Sequence, residues 1–322
     1  QLYNTNLFFC MFFSTGITLD TEELVLVTSR SPRYYVSAAY WDRDSLLWSF
    51  PAILDADSER AKEMLSYVFG RQRRNFGIHS RYIDGTVLEP GFELDELVAP
   101  LLALERYINK TDDKSILNDS DIAQGISLIL NCLRQHEAAS CRLYDTFLQP
   151  TDDEHVYPYI TYDNVLVWKA LKDLAQLAPQ YAHLEKTADE IKDAIMTHCV
   201  QKDAEGKPYF GWSIDLNGSH DVYDEPPGSL QLLPLFGFCS LTDEVYRNTV
   251  AMIRSPEYKY SFANSPINEI GCPHAPHPWI LSLANSLLCG RVEHCRAILE
   301  KISMDNGIAC ESVDEVTGYC TP

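Results

Sequence analysis

Positive charge is the scarcest thing in this sequence: 26 lysines and arginines stand against 46 aspartates and glutamates, a formal charge of −20 over 322 residues. A chain so short of cations is poorly equipped to neutralise a phosphate backbone, which argues against nucleic acid as a partner. A long apolar run is missing too. No stretch approaches the roughly 18 apolar residues of a membrane span, and the aromatic opening at residues 6–13 is too short, and lacks the basic flank, for a signal peptide. Nucleotide-binding glycine loops of the G-x-x-x-x-G-K-[ST] and G-x-G-x-x-G types are absent, as is the G-x-S-x-G elbow of serine hydrolases. The ten cysteines include no C-x-x-C pair and no His/Cys cluster at zinc spacing. They read as buried thiols of a reducing, cytoplasmic compartment and not as a disulfide frame. No metal, no cofactor and no membrane are expected.

What is present suits a large helical domain. Hydrophobic residues make up 46% of the chain, enough for a substantial core. Apolar residues recur at helical spacing over residues 4–15, 44–54, 57–74, 93–108 and 119–136. In the second half they recur in pairs: 164–177 with 181–200, 229–238 with 242–254, and 279–289 with 292–304. A short β excursion is expected over residues 21–40, where Val25, Val27, Tyr34, Tyr35 and Val36 gather. About eleven helices with no βα alternation predict an all-α fold, an α/α toroid of helical hairpins. The long polar loops would then lie on one face, where a pocket is expected. The count falls one helix short of the twelve that close such a ring, so the reading is a single domain over residues 1–322, truncated at both ends and without its closing helix.

Two acidic loops carry the chemistry. Asp152 and Asp153 lie in a Pro-Thr-Asp-Asp turn before an apolar helix, amid Tyr157, Tyr159, Tyr162 and Trp168. Glu311 lies far downstream, after Gly307. Two carboxyl loops beside helices suit a glycosidase that uses one group as acid and the other as base. A neighbouring carboxylate helps to keep an acid protonated. Ordinary helix-entry turns and a solvated surface glutamate would use the same residues. Trp41, Arg43 and Asp44, in the run Tyr-Trp-Asp-Arg-Asp-Ser, could fork hydrogen bonds to vicinal hydroxyls while the indole packs a sugar ring; a capped helix with a local ion pair fits them equally. Glu93 and Asp95 begin one helix and Asp224 and Glu225 precede another element, where acids favour the positive end of the dipole. His274 and His277 sit in a Pro-rich turn with no third ligand nearby, which suits hydrogen bonding to a sugar better than zinc.

In chain order these blocks resemble glycoside hydrolase family 125, the metal-independent exo-α-1,6-mannosidases, over nearly the whole sequence. The family's W-x-R-D-S is matched at 41–45, its E-L-D at 93–95, and its P-S-D-D loop with the following Y-x-Y, asparagine and helix at 147–175, which places the asparagine at Asn164. Its acidic pair and S-L-x-x-L-P-x-L-G block stand at 224–237, its G-x-P-H-x-P-H turn at 271–277, and part of its terminal H-E-S-F at 310–313. Gln149 replaces an arginine of the family pattern, Asp42 a leucine, and Cys310 the histidine before the base. The resemblance implies an (α/α)₆ toroid and an inverting, exo-acting mechanism without metal. It places the acid in the Asp152–Asp153 pair, with Asp152 preferred, and makes Glu311 the base. It also implies sugar contacts from Trp41, Arg43, Asp44, Glu93, Asp95, Asn164, Asp224, Glu225, His274 and His277, with a small oligosaccharide or glycan as substrate. An α-glucosidase of glucoamylase type on the same fold and a non-catalytic carbohydrate-binding toroid are the competing readings.

Overall fold

A computed structural model describes residues 1–30 and 39–321. Among them are ten α-helices, one helix of π type over Arg43–Ser49, and nine strands of two to six residues. The chain gathers into two compact units. The first is built mainly from Tyr3–Leu148 and Leu166–Glu190, the second from Gln149–Val165 and Ile191–Pro322.

The first unit is centred on the helix Leu94–Thr111, whose Leu94, Leu97, Val98, Leu101, Leu102 and Leu104 are all buried. Apolar residues three and four apart make the inward stripe. The helix stops at Asp112, whose φ of 58° turns the chain left-handed. Its first turn is capped from a distance: the Leu94 amide donates to Thr146 Oγ1 at 3.2 Å. Around it pack Ser58–Gly70, with Met64, Leu65 and Val68 inward, and Ser120–Gln135, with Ile122, Ile126 and Ile129 inward. The Arg43–Ser49 helix starts one residue before the predicted cap at Asp44. Its cap is Glu96, whose carboxylate accepts the Asp42 and Arg43 backbone amides, the latter at 3.0 Å. No short-range pattern announces a cap supplied from another helix.

Part of the β excursion is present, as Thr15–Ile17 paired antiparallel with Leu24–Leu26; the stretch 31–38 lies outside the described residues. A hairpin of Ile78–Tyr82 and Val87–Phe92 occupies what reads as a loop, and Ala39–Tyr40 adds a third strand to it. Its turn holds Gly85 at φ 83°, where a Cβ would meet the Arg71 carbonyl oxygen at 2.3 Å. Asp84-Gly85 is a two-residue hairpin signal in the sequence.

The second unit holds the helices Glu244–Ile253, Ile280–Leu288 and Val292–Leu299 and two small ladders, Tyr159–Ile160 with Ser213–Ile214 and Val200–Lys202 with Pro208–Phe210. Ile267, Leu283, Cys295, Ile298, Ile302, Met304 and Val313 form one of its cores. The helix expected over 229–238 is instead a pair of tight turns around Leu230–Leu232. Pro234 has no N–H to return to Leu230, and Gly237 adopts φ 74°, so an α-helix cannot run through. The cysteine reading also needs correction: Cys310 and Cys320 form a disulfide, while the other eight are free thiols. With that bond present the cysteines no longer argue for a reducing compartment. Among the described residues no helix is long and apolar enough to cross a membrane.

Two caps test this account, one in each unit. Asp119 Oδ1 accepts the Asp121 and Ile122 amides, and Asp243 Oδ1 those of Val245 and Tyr246. Asp119→Ala and Asp243→Ala should each lower stability by about 1 kcal/mol in urea unfolding; no change in the midpoint would remove the caps from the explanation.

Candidate active site

The aspartate pair lies in a closed turn of the second unit. The Asp152 amide donates to the Gln149 carbonyl at 2.8 Å, and the Gln149 amide returns to the Asp153 carbonyl at 2.9 Å. Asp152 takes φ 68°, a left-handed conformation for a residue with a side chain. Strained backbone of this kind gathers at functional sites. The turn is anchored by Glu225, which is fully buried and accepts from Thr151 Oγ1 at 2.8 Å and from the Tyr223 hydroxyl at 3.0 Å. Gln149 Nε2 donates to the same threonine oxygen at 3.1 Å. Under the turn, Gly228 presses on Pro150; a Cβ there would lie 2.6 Å from Pro150 Cγ and 3.1 Å from Tyr162 Cδ1. A glycine is required for the two segments to meet.

Glu311 is brought to the same place by the last segment of the chain. Its carbonyl accepts from the Ile280 amide at 3.1 Å, and the Val313 amide donates to Pro278 at 2.9 Å. This docks residues 311–313 against the chain leaving the 271–277 turn, which carries His274. The imidazole of His274 then stands between the two acidic loops: Nδ1 is 3.2 Å from Asp153 Oδ2, and Nε2 is 3.9 Å from Glu311 Oε1. All three remain reachable from solvent, with side-chain exposures of 47% for Asp153, 38% for His274 and 54% for Glu311. Trp279 flanks His274 with ring centres 6.2 Å apart, its Nε1 tied to the Ala275 carbonyl at 2.9 Å. Partial burial pushes the Glu311 carboxyl above its ordinary value of 4.5; His274 pulls it down and Asp152 pushes it up again. A glutamate so raised is a better proton acceptor from water than an ordinary one.

Other expected residues of this unit have supporting parts. Asp224 is buried and accepts from Ser229 Oγ and the Leu230 amide, both at 2.7 Å, fixing the turn after it; burial pushes its carboxyl up to about 7. Asn164 is buried and donates to the Ile160 carbonyl at 2.8 Å. His277 Nδ1 pairs with Glu315 Oε2 at 3.2 Å and not with the carboxylate pair.

In the first unit, Arg43, Glu93 and Asp95 form a buried cluster of their own. Arg43 bonds Glu93, and its Nε reaches Asp95 Oδ2 at 2.5 Å. Behind it, Asp42 pairs with Arg81 and accepts the Tyr40 hydroxyl at 2.5 Å. Burial drives the Glu96 carboxyl well above its usual range, with Arg43 the main opposing influence. Arg43 is only 1% exposed, so its guanidinium serves these carboxylates and does not stand open for a ligand. Trp41 is 5% exposed and packs edge-on against His79, where an exposed stacking platform was expected. Asp44 is half-buried on the same helix.

The profile of a family described as metal-independent α-mannosidase, GH125, matches residues 137–317, more than half of the chain. The chain belongs to that family. It is 28% identical over 190 residues to the meiotically up-regulated gene 157 protein of Schizosaccharomyces pombe, a match spanning 55% of this chain and 37% of that protein. Among solved structures it is similar to a Streptococcus pneumoniae metal-independent α-mannosidase in a non-productive complex with α-1,6-mannobiose, with TM-score 0.87 and 18% identity over 98% of this chain and 88% of that one. A glucoamylase from Saccharomycopsis fibuligera gives TM-score 0.71 and 13% identity over 99% and 90%. At these identities the likenesses show the fold, the (α/α)₆ arrangement of six-hairpin glycosidases.

For a GH125 chain built this way, the Gly228–Pro150 contact should matter to turnover. Gly228→Ala must displace the 149–153 turn, and glycoside hydrolysis should fall by up to roughly a hundredfold, as for misplacements of about 1 Å, while the urea midpoint moves much less. Full activity in Gly228→Ala would show that the turn's position is not critical.

Proposed function

We propose that this GH125 protein is an inverting, exo-acting α-mannosidase in which Asp152 is the general acid and Glu311 the general base. One observation carries the reading: the His274 imidazole touches both acidic loops. Since a single ring spans the two contacts, the Asp153 and Glu311 carboxylates lie no farther apart than the upper end of the roughly 6.5–9.5 Å that an inverting pair needs.

Asp153 pairs with His274, and Asp152 is taken as the proton donor on the family motif. The charge of Asp152 is felt at Glu311, and its left-handed backbone is a conformation kept for a purpose. In the reaction, Asp152 gives its proton to the glycosidic oxygen as the C–O bond breaks. Glu311 takes a proton from the water that attacks from the opposite face. The products are a leaving alcohol and a sugar of inverted configuration, and the two carboxyl groups have exchanged protonation states before resetting through solvent. A terminal sugar of a small oligosaccharide or glycan as substrate belongs to the same proposal and rests on the family motifs. The glucoamylase likeness keeps an α-glucoside as the second reading of substrate.

Aryl α-mannosides and α-glucosides compared by ¹H NMR test both halves, with β-mannose the first anomer expected. Retention would reject the mechanism, and preference for glucosides the sugar. Asp152→Asn and Glu311→Gln should each lose at least roughly 10²–10⁴ in kcat with the folded state intact.

A pH profile supplies a further check. The base works ionised, so kcat/KM should rise with pH through a Glu311 pKa lying above 4.5. His274 holds that pKa down, so His274→Gln should move the acid limb to higher pH. A limb that stays put or moves down would separate His274 from the base.

A further inference from the structure

We propose that the Cys310–Cys320 disulfide is a positioning element for Glu311, and that its reduction lowers turnover without unfolding the protein. The inference rests on the reading of Glu311 as the base and goes beyond it, to what fixes the base in place.

Glu311 has no helix beneath it. The backbone that leads to it is irregular, with left-handed residues at Met304, Asn306 and Gly307. Its position is therefore set by what residues 310–313 touch. On one side lies the 278–280 segment, through the Ile280 amide to the Glu311 carbonyl, the Val313 amide to Pro278, and a bridge between Trp279 and Ser312. On the other side lies the 320–321 segment. There the Thr321 amide donates to the Ser312 carbonyl at 3.1 Å, Ser312 Oγ meets Thr321 Oγ1 at 2.5 Å, and Val313 bridges Cys320. Residues 311–313 are thus the middle of three short extended pieces. The disulfide fastens the middle piece to the outer one at the residue immediately before the base.

The outer piece is held by a local turn, in which Asp314 Oδ1 accepts the Val316 and Thr317 amides, and by the Ser303 and Met304 amides donating to the Gly318 carbonyl. These bonds survive reduction, so the fold should persist while the tie at residue 310 is lost. Both bridged cysteines are half-buried and pack on the Ile267–Val313 core, within reach of a small reductant. Cys199, Cys272 and Cys295, by contrast, are buried free thiols. A dithiol reductant gives two electrons and two protons to the sulfur–sulfur bond. It becomes a cyclic disulfide, and Cys310 and Cys320 become thiols.

The test compares the oxidised and dithiothreitol-treated protein, with the bridge followed as a mass gain of two hydrogens. On reduction kcat for an aryl α-mannoside should fall roughly tenfold to a hundredfold with KM little changed, and reoxidation should restore it. The Cys310→Ser/Cys320→Ser double variant should show the reduced-state kcat with and without reductant. Amide exchange at Val313 and Thr321 should quicken on reduction while the Leu94–Thr111 helix stays protected. Unchanged kcat in fully reduced protein, or free thiols at both positions before any reductant, would overturn the proposal. If the oxidised protein hydrolyses no glycoside, the catalytic reading fails on its own. The exchange measurement then still decides the clamp, with unaltered Val313 and Thr321 amides counting against it.

Discussion

Carboxylates brought close together repel, and hold together only when a cation or a proton stands among them. This strongly acidic chain crowds them in two places and resolves each differently. In the first unit Arg43 and Arg81 are buried among Asp42, Glu93, Asp95 and Glu96, and Glu96 is pushed toward protonation. Such a cluster is costly to assemble and severely destabilising to break on one side only, which makes it a rigid feature. In the second unit the intervening group is His274, which is more exposed. The contrast matches what each place needs. A buried network fixes geometry, whereas the carboxyl groups around His274 stay open to solvent.

Most of the helices were legible because their apolar residues recur with the helical period, and a family of weak motifs in the right order pointed to the fold. The loops proposed to carry the acid and the base were legible for the second reason only. Asp152, Asp153 and Glu311 are unremarkable one by one; their meeting around His274 depends on how residues 278–280 dock against 311–313, which no local pattern encodes. The histidine itself was visible in its Pro-rich turn. The sequence suggests contact with a sugar for it, because nothing in the sequence says that it faces two carboxylates.

Other details were lost where distant parts of the chain act locally. The cap of the Arg43–Ser49 helix comes from Glu96, and that of Leu94–Thr111 from Thr146. A propensity argument sees only the residue adjacent to the helix end and so assigned the first cap to Asp44. Proline and glycine in 229–238 did carry a warning, which the periodic leucines outweighed. For the cysteines there was no comparable sign. Ten of them, without a motif, give no reason to single out Cys310 and Cys320 until residues 320–321 are seen folding back beside 311–313.

The backbone at Asp152 has a consequence for how such a protein changes over time. A side chain in the left-handed region costs on the order of 1 kcal/mol, and glycine escapes it in full. Glycine would delete the carboxyl. Any screen or lineage that rewards heat resistance alone is thus steered, at this one codon, away from the aspartate. On the reading of Asp152 as proton donor, only continued demand for the reaction keeps it in place.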